Sequence, residues 1–206
     1  MKKLVIPILI AFGLWFIMFS PWTSPYLNFW ISMLFSASIL LLMSFTLKKD
    51  RKNEFRFDWK SILLGVVSAG LLWVIFYIGN QVSTQLFDFA KPQISSIYNL
   101  RDGTKSAFIA LELFLLVGPA EVIFWQGLVQ SGMMEKLGDM KGFILTTLIY
   151  SIVHLFSFNF MLIMAAMVCG AFWGFMYMVF KPRNLVPLLI SHALWDVMVF
   201  VILPIK

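Results

Sequence analysis

Charged residues and cysteine are scarce in this chain, and each scarcity excludes a class of protein. Only 13% of the 206 residues are charged and 61% are hydrophobic, a composition that excludes an ordinary soluble domain. The single cysteine, Cys169, excludes an intramolecular disulfide. Internal repeats and low-complexity tracts are also lacking, so a solenoid or a disordered chain is not expected.

Long apolar runs are what the chain does contain. A helix of about 20 apolar residues crosses a bilayer, and runs near this length occupy residues 4–20, 26–47, 61–79, 107–133, 142–156, 160–180 and 185–203. We therefore predict an all-α, polytopic bundle of about seven spans, forming one integral membrane domain over residues 1–206. The mixed residues 81–106, in which Pro92 is expected to break a helix, predict a further helix in the membrane interface.

The formal net charge of +6 does not indicate a nucleic-acid partner, because the basic residues lie in the loops between the apolar runs. If the N-terminus is inside, twelve basic residues fall on the inner side and four on the outer side. Inner loops of membrane proteins carry an excess of Lys and Arg. The charge pattern thus predicts a cytoplasmic N-terminus.

One carboxylate, Glu121, interrupts the apolar run 107–133. Inserting a carboxylate into hydrocarbon costs roughly 2.5 kcal/mol or more, so such a residue normally faces a bundle interior. The later runs hold three other ionisable residues, which are His154, His192 and Asp196. A helix rise of about 1.5 Å per residue puts all four at depths of roughly 12 to 18 Å from the inner ends of their spans. The sequence therefore predicts that they meet.

Taken singly, each of these residues also has a structural explanation. A lone intramembrane histidine is often a hydrogen-bonded packing residue, and a neighbouring hydroxyl can cap a lone aspartate. Four such residues at one depth favour a functional site instead. Glu112 is the exception, because it lies about half a turn out of phase with Glu121 on a straight helix and is predicted to be structural.

Two kinds of chemistry fit two histidines and two carboxylates. Zinc accepts such ligands, although no HExxH-type pair is present. Alternatively, a buried carboxylate with a neighbouring histidine activates water, while a second histidine and an aspartate steady the oxyanion of a tetrahedral intermediate. Both alternatives remain open on the residues alone.

Three ordered motifs add a family resemblance. They resemble the EExxxR, FxxxH and HxxxN/D motifs of the CPBP family, the CAAX-protease and bacteriocin-processing membrane proteins, also called the Abi family of intramembrane glutamic proteases. In this chain the motifs read Glu121-x-x-x-x-Gln126-Gly127, Tyr150-x-x-x-His154 and His192-x-x-x-Asp196. The resemblance covers about residues 106–200, and the extra N-terminal spans within residues 1–80 carry no diagnostic motif.

The resemblance implies a role for each matched residue. Glu121 and His154 would activate water, whereas His192 and Asp196 would stabilise the oxyanion. Gln126 would support the site or bind substrate. No metal or other cofactor would be required.

The chain departs from the family pattern at three positions. Val122 and Gln126 replace the second Glu and the Arg of the first motif, which removes a potential ion pair as a unit. Tyr150 replaces Phe and adds a hydroxyl. Tyr150 is therefore expected to support the site or bind substrate.

Three functions compete on this basis. The first is an intramembrane endopeptidase in a bacterial plasma membrane that cleaves a membrane-associated peptide or protein, such as a bacteriocin-like or signalling peptide. The second, favoured by the substituted first motif, is a catalytically impaired scaffold, peptide-binding or bacteriocin-immunity protein. The third is a proton-coupled transporter, for which we see no inverted repeat. The expected partners are the lipid bilayer and a peptide or membrane-protein substrate.

Overall fold

The computed structural model describes residues 2–51, 54–180 and 183–205. Lys52, Lys181 and Lys206, which contribute to the predicted charge asymmetry, lie outside the described residues. Helix makes up 83% of the structure, and the described residues contain no strand. The prediction of an all-α fold is confirmed.

Eight helices of at least ten residues are found in the described part of the chain. In order they are α1 (Lys2–Phe19), α2 (Phe29–Leu47), α3 (Trp59–Leu86), α4 (Ala90–Asn99), α5 (Ser106–Leu137), α6 (Asp139–Ser157), α7 (Phe160–Val179) and α8 (Val186–Ile202). Five of them, α2, α3, α5, α6 and α7, are long and apolar enough to cross a membrane, and α1 and α8 are apolar but shorter. An integral membrane protein follows, with five of the seven predicted spans meeting both criteria.

Helix α3 is longer than its predicted span of 61–79. It begins where the Asp58 side chain accepts a hydrogen bond from the Ser61 amide, and this bond lowers the pKa of the Asp58 carboxyl below its ordinary value. The helix then continues to Leu86, so only residues 90–99 of the mixed segment form a separate short helix. Pro92 does not break that helix, because it lies in the first turn, where a missing amide proton does no harm.

Helix α5 changes its winding twice. Residues Leu113–Val117 and Trp125–Gln130 form π-helical turns on either side of an α-helical stretch, Gly118–Phe124. Single π-helical turns inside α-helices occur frequently at functional sites. The stretch between them carries Glu121, so the carboxylate lies between two places where the regular hydrogen-bond ladder is interrupted.

Glycines allow α8 to pack closely between α3 and α5. A Cβ atom on Gly65 of α3 would lie 2.7 Å from Ile190 Cβ, and one on Gly118 of α5 would lie 2.9 Å from Ala193 Cα. Neither gap would accommodate a side chain. The Gly118 contact is one turn from Glu121 and adjacent to His192, so it brings two site-bearing helices together.

The turn between α6 and α7 fastens α4 to the bundle. Phe158 adopts a left-handed conformation (φ 50°), and Asn159 caps α7 by accepting a hydrogen bond from Leu162 N. The chain thus reverses direction tightly between α6 and α7. The Asn159 amide nitrogen also donates to Gln93 O and Ser96 Oγ of α4. These bonds hold α4 beside the start of α7.

Candidate active site

A single cavity of about 550 Å³ contains the predicted site. Its walls come from every one of the eight helices and are mostly apolar, and its polar lining includes Glu121, Tyr150, His154, His192 and Asp196. All four residues predicted to meet line this one space. Gln126 does not line it, although it is buried in the second π-helical turn of α5.

The Glu121 carboxylate is held by a tyrosine. Tyr150 Oη donates a hydrogen bond to Glu121 Oε2 over 2.7 Å, and both side chains are buried. A hydrogen bond to a charged oxygen is stronger than one between neutral groups. The hydroxyl that Tyr150 adds to the family motif therefore orients Glu121 in this protein.

Both ring nitrogens of His154 are occupied by protein groups. Trp15 of α1 donates its indole Nε1 hydrogen to His154 Nε2 over 2.9 Å, and His154 Nδ1 lies 2.9 Å from the carbonyl oxygen of Tyr150. An indole nitrogen only donates and a carbonyl only accepts. The imidazole is consequently the neutral form with its proton on Nδ1, and Nε2 is occupied by Trp15.

The second histidine is held differently. Its ring stacks on Trp173 with centroids 3.8 Å apart, and Trp173 Nε1 donates to Ser191 Oγ. His192 Nε2 lies 3.5 Å from Asp196 Oδ2, longer than a good hydrogen bond. His192 Nδ1 has no hydrogen-bond partner among the described residues. Neither ring nitrogen of His192 therefore makes a good hydrogen bond to the described part of the chain.

The two carboxylates of the site share one cavity. Glu121 on α5 and Asp196 on α8 both line it. Like charges in a buried site oppose simultaneous ionisation. No group of three or more His, Cys, Asp or Glu side chains in the described part of the chain is arranged to hold a metal ion.

An ion cluster from outside the three motifs touches the Glu121 helix. Lys48 Nζ donates to Gly127 O over 2.8 Å, and both Lys48 and Arg51 form ion pairs with Glu54. The Glu54 carbonyl in turn accepts a hydrogen bond from Leu185 N at the start of α8. We name Lys48, Arg51 and Glu54 the loop clasp. It links α2, α5 and α8 next to Gln126, where the family motif has its own cation.

Sequence reasoning missed Trp15 and the loop clasp. Trp15 lies within an apolar run, where an aromatic residue indicates packing and carries no sign of a distant hydrogen bond. The charges of the loop clasp were visible in the run 48–60, but membrane topology explained them. No periodicity or spacing in the sequence links either group to Glu121.

The fold and the cavity define a class of protein. This is a polytopic helical membrane protein with a buried site of carboxylate and histidine side chains. Residues 103–198 match the family model described as Rce1-like, Type II CAAX prenyl endopeptidase, and this match supports the CPBP family that the three motifs indicate. The match spans all three motifs. The Rce1-like family is a protease family, and the match therefore supports peptidase activity. No curated protein and no solved structure gives a significant match.

Proposed function

We propose that this protein is an intramembrane endopeptidase in which Glu121 activates water to cleave a peptide segment held in the cavity. The observation that carries the proposal is the convergence of Glu121, His154, His192 and Asp196, from three helices, on one mostly apolar space. Such convergent polar groups in a concave apolar pocket are the usual form of a ligand site.

In the proposed reaction, the Glu121 carboxylate removes a proton from water while Tyr150 holds the carboxylate in place. The water oxygen bonds to the scissile carbonyl carbon, and the negative charge moves to the carbonyl oxygen. The ring N–H of neutral His192 donates a hydrogen bond to that oxyanion, and Asp196 lies beside the ring and positions it. Glu121 then gives the proton to the leaving nitrogen as the C–N bond breaks. Water and the peptide supply every atom of the two products.

His154 has a conditional role. Its Nε2 accepts a proton or a water hydrogen only after Trp15 withdraws from it. The proposed water-activating pair of Glu121 and His154 thus requires a small movement of α1 relative to α6.

The substrate is proposed to be a short segment of a membrane-associated peptide or protein. A cavity of about 550 Å³ is within the range of small-ligand pockets, so it accommodates a few residues and not a whole helix. Residues of α4, Ile94, Ile97 and Tyr98, line the cavity. With the N-terminus in the cytoplasm, as the loop charges predict, α4 lies on the outer side and the segment reaches the site from there.

A catalytically impaired peptide-binding or immunity protein is the second candidate. The contacts of His154 favour this candidate, because each ring nitrogen already has a hydrogen-bond partner within the protein and neither is free to bind water or substrate. In this alternative the cavity holds a peptide without cutting it.

The decisive experiment compares peptide N-termini in membranes of cells producing the wild type or Glu121→Gln at equal levels. Loss of a general base lowers the rate by about 10²- to 10⁴-fold, so termini formed by the wild type should disappear. Glu112→Gln is the matched control, because Glu112 is also a buried carboxylate of α5 but does not line the cavity. Identical profiles for wild type and Glu121→Gln would reject proteolysis and favour the peptide-binding alternative.

A further inference from the structure

Two polar atoms beside the cavity have no role in the proposed reaction and no partner. Asn80 Oδ1 and Trp195 Nε1 are buried without a hydrogen bond among the described residues, and both side chains line the cavity. Each residue is only 8% exposed. Buried polar groups in proteins nearly always have partners, so these two atoms call for a bound molecule.

The two residues lie close to the proposed reacting groups. The ring of Phe76 contacts the Trp195 ring with centroids 4.7 Å apart. Asn80 follows Phe76 by four positions and therefore occupies the same face of α3, about 6 Å further along the helix. Trp195 directly precedes Asp196. Asn80 thus lies about one turn of α3 from the residue that contacts Trp195, and both Asn80 and Trp195 line the cavity that holds Asp196.

The chemistry of this pair is complementary. An amide oxygen accepts a hydrogen bond, and an indole nitrogen donates one. The backbone of an extended peptide offers the opposite groups, an N–H and a C=O, which a helical segment has already used internally. The surrounding wall is apolar, so bonds to these atoms would form without competition from water.

We infer that Asn80 and Trp195 form a binding subsite for the backbone of an extended peptide, in the same cavity as the proposed reacting groups. This inference rests on the proposed endopeptidase function. The subsite recognises backbone, so it selects for unwound chain and not for a particular side chain.

Kinetics on a synthetic peptide spanning a cleavage site found by N-terminal profiling test the subsite. The enzymes are the full chain in lipid nanodiscs as wild type, Asn80→Leu and Trp195→Phe. Asn80→Leu removes the amide at nearly constant volume, and Trp195→Phe removes the indole N–H but leaves a smaller ring. KM should rise about 2- to 10-fold in each, with kcat little changed. Gln81→Leu, an exposed amide next along α3 that does not line the cavity, should leave KM unaltered.

A backbone-modified peptide separates binding from packing. Replacing single amides near the cleaved bond by esters removes one N–H at a time. At the position that Asn80 contacts, the ester should weaken wild type binding and cause no further loss in Asn80→Leu. The subsite would be overturned if every ester weakened binding equally in the wild type and in Asn80→Leu, or if KM were unchanged in both Asn80→Leu and Trp195→Phe. Neither result would bear on the proteolysis itself.

Thermal unfolding provides a measure that does not depend on proteolysis. Because Asn80 Oδ1 has no protein partner among the described residues, replacing the side chain by leucine should leave Tm unchanged or raise it. A marked fall in Tm would show that the amide serves the fold, and the inference would fail even with activity present. If Glu121→Gln leaves the N-terminal profile unchanged, the proposed function fails first and the subsite with it.

Discussion

The family-matched residues 103–198 and the preceding residues 2–102 contribute different things to one site. The matched part supplies every residue of the three motifs, including Glu121 and His154. The preceding part supplies the groups that hold them, since Trp15 occupies His154 Nε2 and Lys48 binds Gly127 O. Motif residues carried on three helices do not by themselves form a closed cavity; α1 to α4 complete its walls.

The comparison shows where a family resemblance stops being informative. Val122 and Gln126 lack the charges of the usual first motif. In this chain, cations next to that motif come from the loop clasp of Lys48, Arg51 and Glu54 instead. The matched segment has lost the cation of its first motif, and two cations from the preceding residues, Lys48 and Arg51, lie next to that motif.

The largest effect on stability is expected at the loop clasp. Glu54→Gln leaves the largely buried Arg51 without its carboxylate partner, and breaking a buried ion pair costs about 3 to 5 kcal/mol of unfolding free energy. The measurement is equilibrium unfolding in mixed micelles. Asp139→Asn in the matched part is the control, because the pair of Asp139 with Arg183 is more exposed and is worth at most about 1 kcal/mol. Equal losses of unfolding free energy in Glu54→Gln and Asp139→Asn would contradict a larger stabilising role for the loop clasp.

A medium effect is expected where two helices of the matched part, α5 and α8, pack against each other. Gly118→Ala places a methyl group against the backbone of Ala193, and overpacking of this kind costs about 1 to 3 kcal/mol. It also separates Glu121 from His192, so the cleavage rate should fall more than stability alone explains. Gly13→Ala in α1 meets no atom within 4 Å and should be neutral or slightly stabilising in both assays. If Gly118→Ala changed neither the stability nor the cleavage rate, the close approach of α5 and α8 would be dispensable.

The smallest effect is expected at the hydrogen bond from Trp15, in the preceding residues 2–102, to His154, in the matched residues 103–198. Trp15→Phe keeps an aromatic ring but removes the hydrogen bond, which is worth about 1 kcal/mol, or about fivefold in an equilibrium. Since the proposed reaction needs a free Nε2, initial cleavage rates should rise by up to about fivefold. His154→Ala provides the opposite reference, with little activity. A fall in rate for Trp15→Phe would mean that the indole positions His154 and does not restrain it.

Much of this architecture could be predicted from helix geometry. Apolar runs indicated the helices, and a constant rise per residue placed Glu121, His154 and His192 at one depth, in agreement with their shared cavity. That these residues catalyse a reaction stays a prediction. The π-helical turns around Gly118–Phe124 could not be predicted, because they depend on how α5 packs and not on its own composition.

Contacts between distant residues were equally invisible. Trp15 and His154 are 139 positions apart, and no local pattern connects an indole in one apolar run with an imidazole in another. The length of α3 was underestimated for a related reason. Residues beyond Gly79 become polar, yet Asn80 is buried by its neighbours, so the helix continues where hydropathy alone suggests an end.

The bond from Trp15 to His154 also constrains how the protein is made. At about 5 to 20 residues per second, a ribosome needs about 7 to 28 s to add the 139 residues that separate the two partners. During that interval α1 is already synthesised, and its indole has no imidazole to meet. The first helix must therefore wait beside the translocation machinery or in lipid until α6 arrives, and the assembly of the site is a late event in the life of each nascent chain.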